Sequence, residues 1–554
     1  VLKPLLPAYD VAEWRRLPFP ERLRMVCLAW ADQGYGSPAG VYLLYLAKLA
    51  FYVFGWAWWC TAGTGWHLAD LGTWWAHDTA FAKFVAWTLL FEGLGLGCGS
   101  GPLTGRYLPP VGPVLYFLRP GTTKLPLVPF PVFGGHQRTV VDVVGYALAL
   151  GLLVRMLAAP AVTPDLIWPF VVLLPVLGLL DKTLFLVFRA EHHWSVLVCL
   201  LFPDALPAAK VVWMAVWWWA ATSKLNAHFP AVIGVMASNS PFSPRWWTRR
   251  MYVSFPDDLR PSRLAAMLAH TGTAFEYGFP LVLLLSSGGP VTQAALVVGT
   301  VFHLFILSQV PMGVPLEWNV IMIYGAWVLF GVHADVPAWS VSSPLLVAWL
   351  VGFHLVLPTY GSVFPERVSF LLAMRYYAGN WATTVWLFRK DDAGNSAAAK
   401  LDQLVKWSPA VGRQLSVLYD APTIEALVSK ILAFRAMHLH GRAIRDLAVR
   451  AVPDVDRYEW LDGEVVAGLV VGWNFGEGHL HGAQLLAAVQ AQIGFAPGEL
   501  RVVMLESQPL HRAVHQWTIA DAHDGVLATG EVAVRDLLPL QPWPAPGEPS
   551  PLRS

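Results

Sequence analysis

With 554 residues that are 56% hydrophobic and 14% charged, 28 tryptophans and a mean hydropathy of +0.49, most of this chain belongs in lipid; soluble domains carry about 25% charged residues. A net charge of +1 removes any case for a nucleic-acid partner. The four cysteines (Cys27, Cys60, Cys98 and Cys199) have no paired spacing, so they read as small buried hydrophobes rather than a disulfide frame or a metal site.

Residues 1–40 are fairly polar and read as an N-terminal cytoplasmic segment with no cleavable leader. A transmembrane domain is expected over 41–362. Runs of roughly 20 apolar residues place about ten spans there, near 41–60, 81–99, 139–162, 166–188, 191–206, 208–224, 263–287, 290–310, 316–333 and 343–361. With ten spans, the N-terminus, the 100–138 and 225–262 loops and the C-terminal tail share one side. That side holds Arg15, Arg16, Arg22, Arg24, Arg106, Arg119, Lys124, Arg138, Arg245, Arg249, Arg250 and Arg260. The opposite loops at 61–80, 163–165, 288–289 and 334–342 contain no lysine or arginine. Lys210, at the outer start of the sixth span, is the one exception nearby, and the positive-inside rule then puts both termini in the cytoplasm.

Residues 363–395 read as an interfacial segment and linker, ending in the polar run Leu387-Phe-Arg-Lys-Asp-Asp-Ala-Gly-Asn395. A cytoplasmic α+β domain is expected at 396–540. Residues 398–450 show helical spacing, and Glu464–Val471 and Glu499–Glu506 look like strands. The Pro-, Gly- and Ser-rich residues 541–554 read as a disordered tail. The fold class is therefore mainly α: a polytopic α-helical membrane protein with a C-terminal cytoplasmic α+β domain.

Lys224 stands where a lysine is expensive, just past the apolar run Val211–Ala221 with its Trp217-Trp218-Trp219 triplet. If the helix continues, Lys224 and His228 are four residues apart on one face. An ionisable group at the edge of a span marks a functional site or a side chain snorkelling to the headgroups. Further polar clusters interrupt apolar runs: Glu191, His192 and His193; His270 and Glu276; His303, Ser308 and Gln309; and Glu317 and Asn319 beyond the kink residues Pro311, Gly313 and Pro315. Singly, each is ordinary interhelical glue. Together they predict one intramembrane polar pocket, with Lys224, His303 and Glu276 as its candidate chemical groups. None has convincing metal-ligand spacing. In the C-terminal domain, Asn474-Phe-Gly-Glu-Gly-His-Leu-His-Gly482 precedes an apolar helix, so Gly476, Gly478, His479 and His481 form a candidate anion site. A glycine-rich turn without ligand explains the same residues, because no lysine closes a phosphate loop.

The string Ser223-Lys-Leu-Asn-Ala-His-Phe229 resembles the Lys-Lys-Leu-Asp-Ala-Asp-Trp segment of vitamin K-dependent γ-glutamyl carboxylases and their bacterial relatives, the horizontally transferred transmembrane (HTTM) group. In that family the lysine before the leucine is the proposed catalytic base, and it falls on Lys224. His303-Leu-Phe-Ile-Leu-Ser-Gln309 resembles the family's histidine span, and Asp181-Lys-Thr183 with His192 or His193 resembles a third segment. The resemblance covers about 140–335. It departs at His228, where the family has an acid, and in lacking the lumenal β domain, which argues against γ-carboxylation of peptides. A match along the whole chain, through Trp30-Ala-Asp-Gln-Gly-Tyr-Gly-Ser-Pro38, Ala237-Ser-Asn-Ser-Pro-Phe242, Val310-Pro-Met-Gly-Val-Pro-Leu-Glu-Trp-Asn319 and Arg375-Tyr-Tyr-Ala-Gly-Asn-Trp381, resembles uncharacterised multi-pass proteins of mycobacteria and other actinobacteria. That resemblance implies a location in the inner (plasma) membrane and a role in envelope lipid or glycolipid metabolism or transport. Membrane lipids, a glycolipid substrate, a second copy or an envelope complex are the expected partners, and a bound lipid or menaquinone the expected small molecule. The alternative is a membrane enzyme, with Lys224 as general base on a quinone or polyprenyl-type substrate in carboxylase- or epoxidase-like chemistry.

Overall fold

The computed structural model describes residues 2–97, 112–128, 135–309, 316–368, 378–404, 414–475, 478–548 and 550–552. Cys98, Arg106, Gly476 and the kink residues Pro311, Gly313 and Pro315 lie outside the described residues.

Four of the described helices are long and apolar enough to cross a bilayer: α2 (Ala39–Thr64), α4 (Val140–Ala158), α11 (Gly289–Leu307) and α13 (Pro344–Val363). At 1.5 Å per residue, 19 residues reach about 29 Å, close to the hydrocarbon thickness. Leu44, Phe54 and Trp58 on α2, and Val301 and Phe305 on α11, point outward uncovered. Such apolar side chains suit lipid tails rather than water.

The expected ten spans are not resolved as ten long apolar helices. The 166–188 run breaks at Asp181. There α5 (Pro164–Leu180) ends, and the short α6 (Lys182–Val187) starts with the Asp181 carboxylate accepting from Thr183 N at 3.1 Å. The 191–206 run yields only α7 (Ala190–Cys199), about 15 Å long and half a bilayer. Helix α3 (Asp78–Gly93) is buried from Ala80 onward beneath α2, α4 and α7, so its apolar surface packs on protein. Interrupted helices of this kind are tolerated at membrane depth only where neighbours satisfy the freed backbone groups. Helices α8 (Ala205–Thr222), α10 (Arg263–Leu285) and α12 (Leu316–Val332) complete the bundle; His270 and Glu276 dilute the apolar character of α10.

The polar N-terminal stretch is not an isolated segment. Helix α1 (Phe19–Gln33) packs between α9 (Phe229–Asn239) and α14 (Ala421–Met437). Trp30 Nε1 donates to Val235 O at 3.1 Å, and Lys430 Nζ donates to the carbonyls of Leu5 and Tyr35 at 3.0 and 3.1 Å. At 11 residues, α9 is too short to span and serves as a bridge between the two halves of the chain.

Beyond a small ribbon of β1 (Tyr252–Ser254) and β2 (Asp258–Pro261), the C-terminal region is built on an antiparallel sheet of order β4-β3-β5-β6-β7. Its strands are β3 (Thr383–Arg389), β4 (Tyr458–Asp462), β5 (Leu500–Leu505), β6 (Val514–Asp521) and β7 (Gly525–Ala533). Strand β3 lies inside the segment expected as a linker. It pairs with both β4 and β5, setting Val385 opposite Asp462 and Val503. Val385 and Leu387 face α15 (Gly441–Ala451), whereas Trp386 and Phe388 belong to the core shared with α16 (Gly463–Val471). A strand covered on both faces reads as one apolar run, which hides its period of two. The stretch Glu464–Val471, expected as a strand, is helix α16, buried along its whole length; periodicity cannot separate a fully buried short helix from a strand. The described part of the expected disordered tail is tied down: Trp543 is buried, and Arg445 pairs with Glu548 at 2.6 Å.

Candidate functional site

Helix α8 stops at Thr222, and a turn carries the chain into α9. Lys224 N donates to Ala221 O at 3.0 Å, Asn226 Nδ2 to Ser223 O at 2.6 Å, and His228 N to Asn226 Oδ1 at 2.9 Å. The asparagine closes the turn on itself, as Asn side chains do when they compete with helix. Lys224 and His228 therefore do not share a helix face. Lys224 reaches α10 and forms a buried ion pair with Glu276, its Nζ lying 5.6 Å from the Phe229 ring centre. The lysine is 8% exposed and the glutamate 4%, so this is not a snorkelling side chain. Trp218 and Leu225 beside it are 50% and 59% exposed.

His303 is engaged on both sides. Trp217 Nε1–H donates to its Nε2 at 3.0 Å, and its Nδ1–H donates to Asn319 Oδ1 at 2.8 Å. An indole can only donate, so the ring is neutral with its tautomer fixed and no lone pair left for general-base work. The residue before Asn319, Trp318, donates to His192 Nε2 and stacks on that ring with centroids 4.6 Å apart. His193 follows at 3.9 Å from His192. Arg189, at a left-handed φ of 49°, lies 4.7 Å over Trp318 and 4.0 Å from a Glu191 oxygen. Glu317 stands 3.9 Å from Lys48.

The expected residues thus fall into separate groups. Glu191, His192, His193, His303, Glu317 and Asn319 form one packed polar seam through the first turns of α7 and α12. Lys224 and Glu276 form a second group; no hydrogen bond or ion pair among the described residues joins Lys224 to His303, although the ammonium is near enough to act on that ring electrostatically. His270 is exposed on α10. Ser308 and Gln309 close the end of α11, where Ser308 Oγ donates to Phe305 O at 2.6 Å. His228 turns away to the sheet, its Nε2 3.2 Å from Gln508 Oε1.

A crevice of about 30 Å³ lies beside the Lys224 turn, lined by Thr222, Ser223, Asn226, Asn380 and Gln508. Leu225, Pro509 and Leu510 also line it, so its wall is mixed, and its volume is on the scale of a water molecule or two. In the candidate anion loop, His479 Nε2 lies 2.7 Å from Glu506 Oε2, and His481 bonds Thr384 Oγ1 at 2.9 Å. A carboxylate already faces His479, which opposes an anion there. A Cβ on Gly478 would sit 1.9 Å from Ala382 O, so this glycine is required by close packing on the chain ahead of β3.

Sequence reasoning missed three further buried sets: Ser195 with His354 at 2.5 Å, Lys124 with Asp142 at 2.7 Å, and Arg138 with Asp181 at 2.9 Å. The signal was present for the last of these, since Asp181 interrupts an otherwise apolar run.

Apolar crossing helices, a buried polar interior and a mixed α/β C-terminal region define a polytopic membrane protein. The chain belongs to the family described as transmembrane proteins of unknown function (DUF3556), which it matches over residues 1–554. No curated protein and no solved structure matches it.

Proposed function

We propose that this protein binds the polar head of a membrane lipid or glycolipid and serves envelope lipid metabolism or transport. The reading places it in the inner membrane with about ten crossings and both termini cytoplasmic; the loop charges support that side for the termini. One observation carries it: a buried ammonium–carboxylate pair, Lys224–Glu276, is formed at a turn that also carries the outward-facing Leu225 and borders a small crevice of mixed polarity, with Trp218 exposed one helical turn earlier. Such a pair offers a donor and an acceptor together, which suits a hydroxyl-rich or zwitterionic head whose tail runs along the apolar helix surface. The general-base alternative is weaker. Lys224 is already engaged by Glu276, and both nitrogens of His303 are occupied.

Lipid mass spectrometry of the full-length protein, purified in mild detergent, tests the reading. The expected result is one head-group class enriched about tenfold over the surrounding membrane, the scale of one or two charge-assisted hydrogen bonds. Lipids in bulk proportion would overturn it, and an enriched quinone would move the protein to the enzymatic alternative.

A further inference from the structure

His228, His438, His440 and His515 come from three distant parts of the chain and meet where α9 touches the sheet region. The rings of His228 and His515 are 4.9 Å apart, those of His228 and His440 6.5 Å, and those of His438 and His440 5.7 Å. All four are buried. Trp381 closes one side, edge-on to His438 and His440 at 4.9 and 4.3 Å.

Their hydrogen bonds fix their protonation. His515 Nδ1 lies 2.7 Å from Glu506 O, His440 Nδ1 3.0 Å from Gly379 O, and His438 Nδ1 2.6 Å from Phe434 O. A carbonyl can only accept, so each Nδ1 carries a proton, and in the neutral ring each Nε2 is then a bare lone pair. His228 donates in the same way from Nε2 to Gln508 Oε1, leaving Nδ1 bare. Among the described residues, His228 Nδ1, His440 Nε2 and His515 Nε2 have no partner, although all three are buried. The site is thus a set of acceptors without a donor. Among the described residues, no three side chains stand close enough to share a metal ion.

We propose that this cluster is a proton-operated latch, holding α9 against the sheet region while the imidazoles are neutral and releasing it when they are protonated. Of the charged groups around it, the Glu506 carboxylate alone favours a proton on a cluster ring, His515, and burial outweighs it. From the α14–α15 side come Arg435, which is paired with Asp462 and Glu464, and Arg442, which donates to Leu537 O and Leu538 O. From the end of β5 comes Glu506, paired with His479. Asp258, Arg260 and Glu548 lie farther out, around Arg442. His228 also opens α9, where the helix dipole opposes a positive ring.

Burial holds all four below the ordinary histidine value: His515 at about 4, His438 at about 3, and His228 and His440 well below, each of these two pushed further by a neighbouring imidazole. For a depressed histidine, the stabilisation is complete above about pH 6.5 and is lost as pH falls toward the folded value. Lys224 lies four residues before His228, so release would also free the turn that holds the ion pair. The latch stands independently of the lipid-binding proposal.

Hydrogen exchange on the full-length protein in detergent, corrected for intrinsic pH effects, tests it. Between about pH 7.5 and pH 5, backbone amides of α9 and β6 should exchange at least about thirtyfold faster, the factor for one group moved from 6.5 to 4, while those of α4, which carries no histidine, stay unchanged. The double variant His440→Asn and His515→Asn keeps a donor for each carbonyl and removes two of the four titrating rings, so it should reduce the acceleration about tenfold or more. The wild-type profile stands by itself should that variant fold poorly. Uniform acceleration over the whole chain, no acceleration in α9, or an undiminished response in the folded double variant would overturn the proposal. So would a stoichiometric transition metal whose chelation reproduces the acid response.

Discussion

Inside the membrane half, Lys124–Asp142, Arg138–Asp181 and Lys224–Glu276 bury opposite charges in pairs, whereas the junction with the sheet region buries four like groups that stay neutral. The two arrangements fail in different ways. A pair breaks when one partner is removed, because the other is left as a bare charge in a low dielectric. A neutral cluster breaks when a proton is added. Mutation is therefore the lever on the first region, and pH the lever on the second.

The largest effect is expected from Arg138→Met. It strands Asp181, a fully buried carboxylate that also accepts from Leu125 N at 3.3 Å and Thr183 N at 3.1 Å. A loss of about 3–5 kcal/mol is expected, the range for breaking a buried pair, read as a collapsed melting temperature or an aggregated peak in size-exclusion chromatography. Wild-type stability in this variant would show that the bundle does not depend on the pair. Lys224→Met alone should cost about 3 kcal/mol. Adding Glu276→Gln should recover most of that loss, because the stranded charge disappears; a double variant no more stable than the single one would break the pairing argument. Acidification from about pH 7.5 to pH 5 should lower the wild-type melting temperature through the depressed histidines, and a flat profile would remove the junction from the comparison. The smallest effect belongs to the exposed pair Arg512–Glu531 on the sheet region. Arg512→Ala should leave the melting temperature within error.

Much of this was legible in the sequence, and the misses share a cause. Lys224, Glu276, His192 and His303 stand out because an ionisable residue in an apolar run is costly anywhere. Their partners are not legible: Glu276 lies 52 positions from Lys224, and the contacts that occupy His303 come from Trp217 and Asn319 on other helices. The expected shared face of Lys224 and His228 failed because Asn226 ends the helix, a local competition that spacing alone does not reveal. Strand β3 and helix α16 were misread for a single reason, burial on every side, which removes the alternation that distinguishes strand from helix. His438, His440 and His515 drew no notice, since a histidine in a polar domain costs nothing until the fold buries it.

The lipid-binding account meets its most direct test in the double variant Lys224→Met with Glu276→Gln, which should fold and yet lack both charges. Head-group-resolved mass spectrometry of lipids retained by this variant and by the wild type, purified side by side, isolates the role of the pair. The account predicts a normally folded variant that has lost about tenfold enrichment of its lipid class. A folded variant that keeps the same lipid at the same ratio would contradict it.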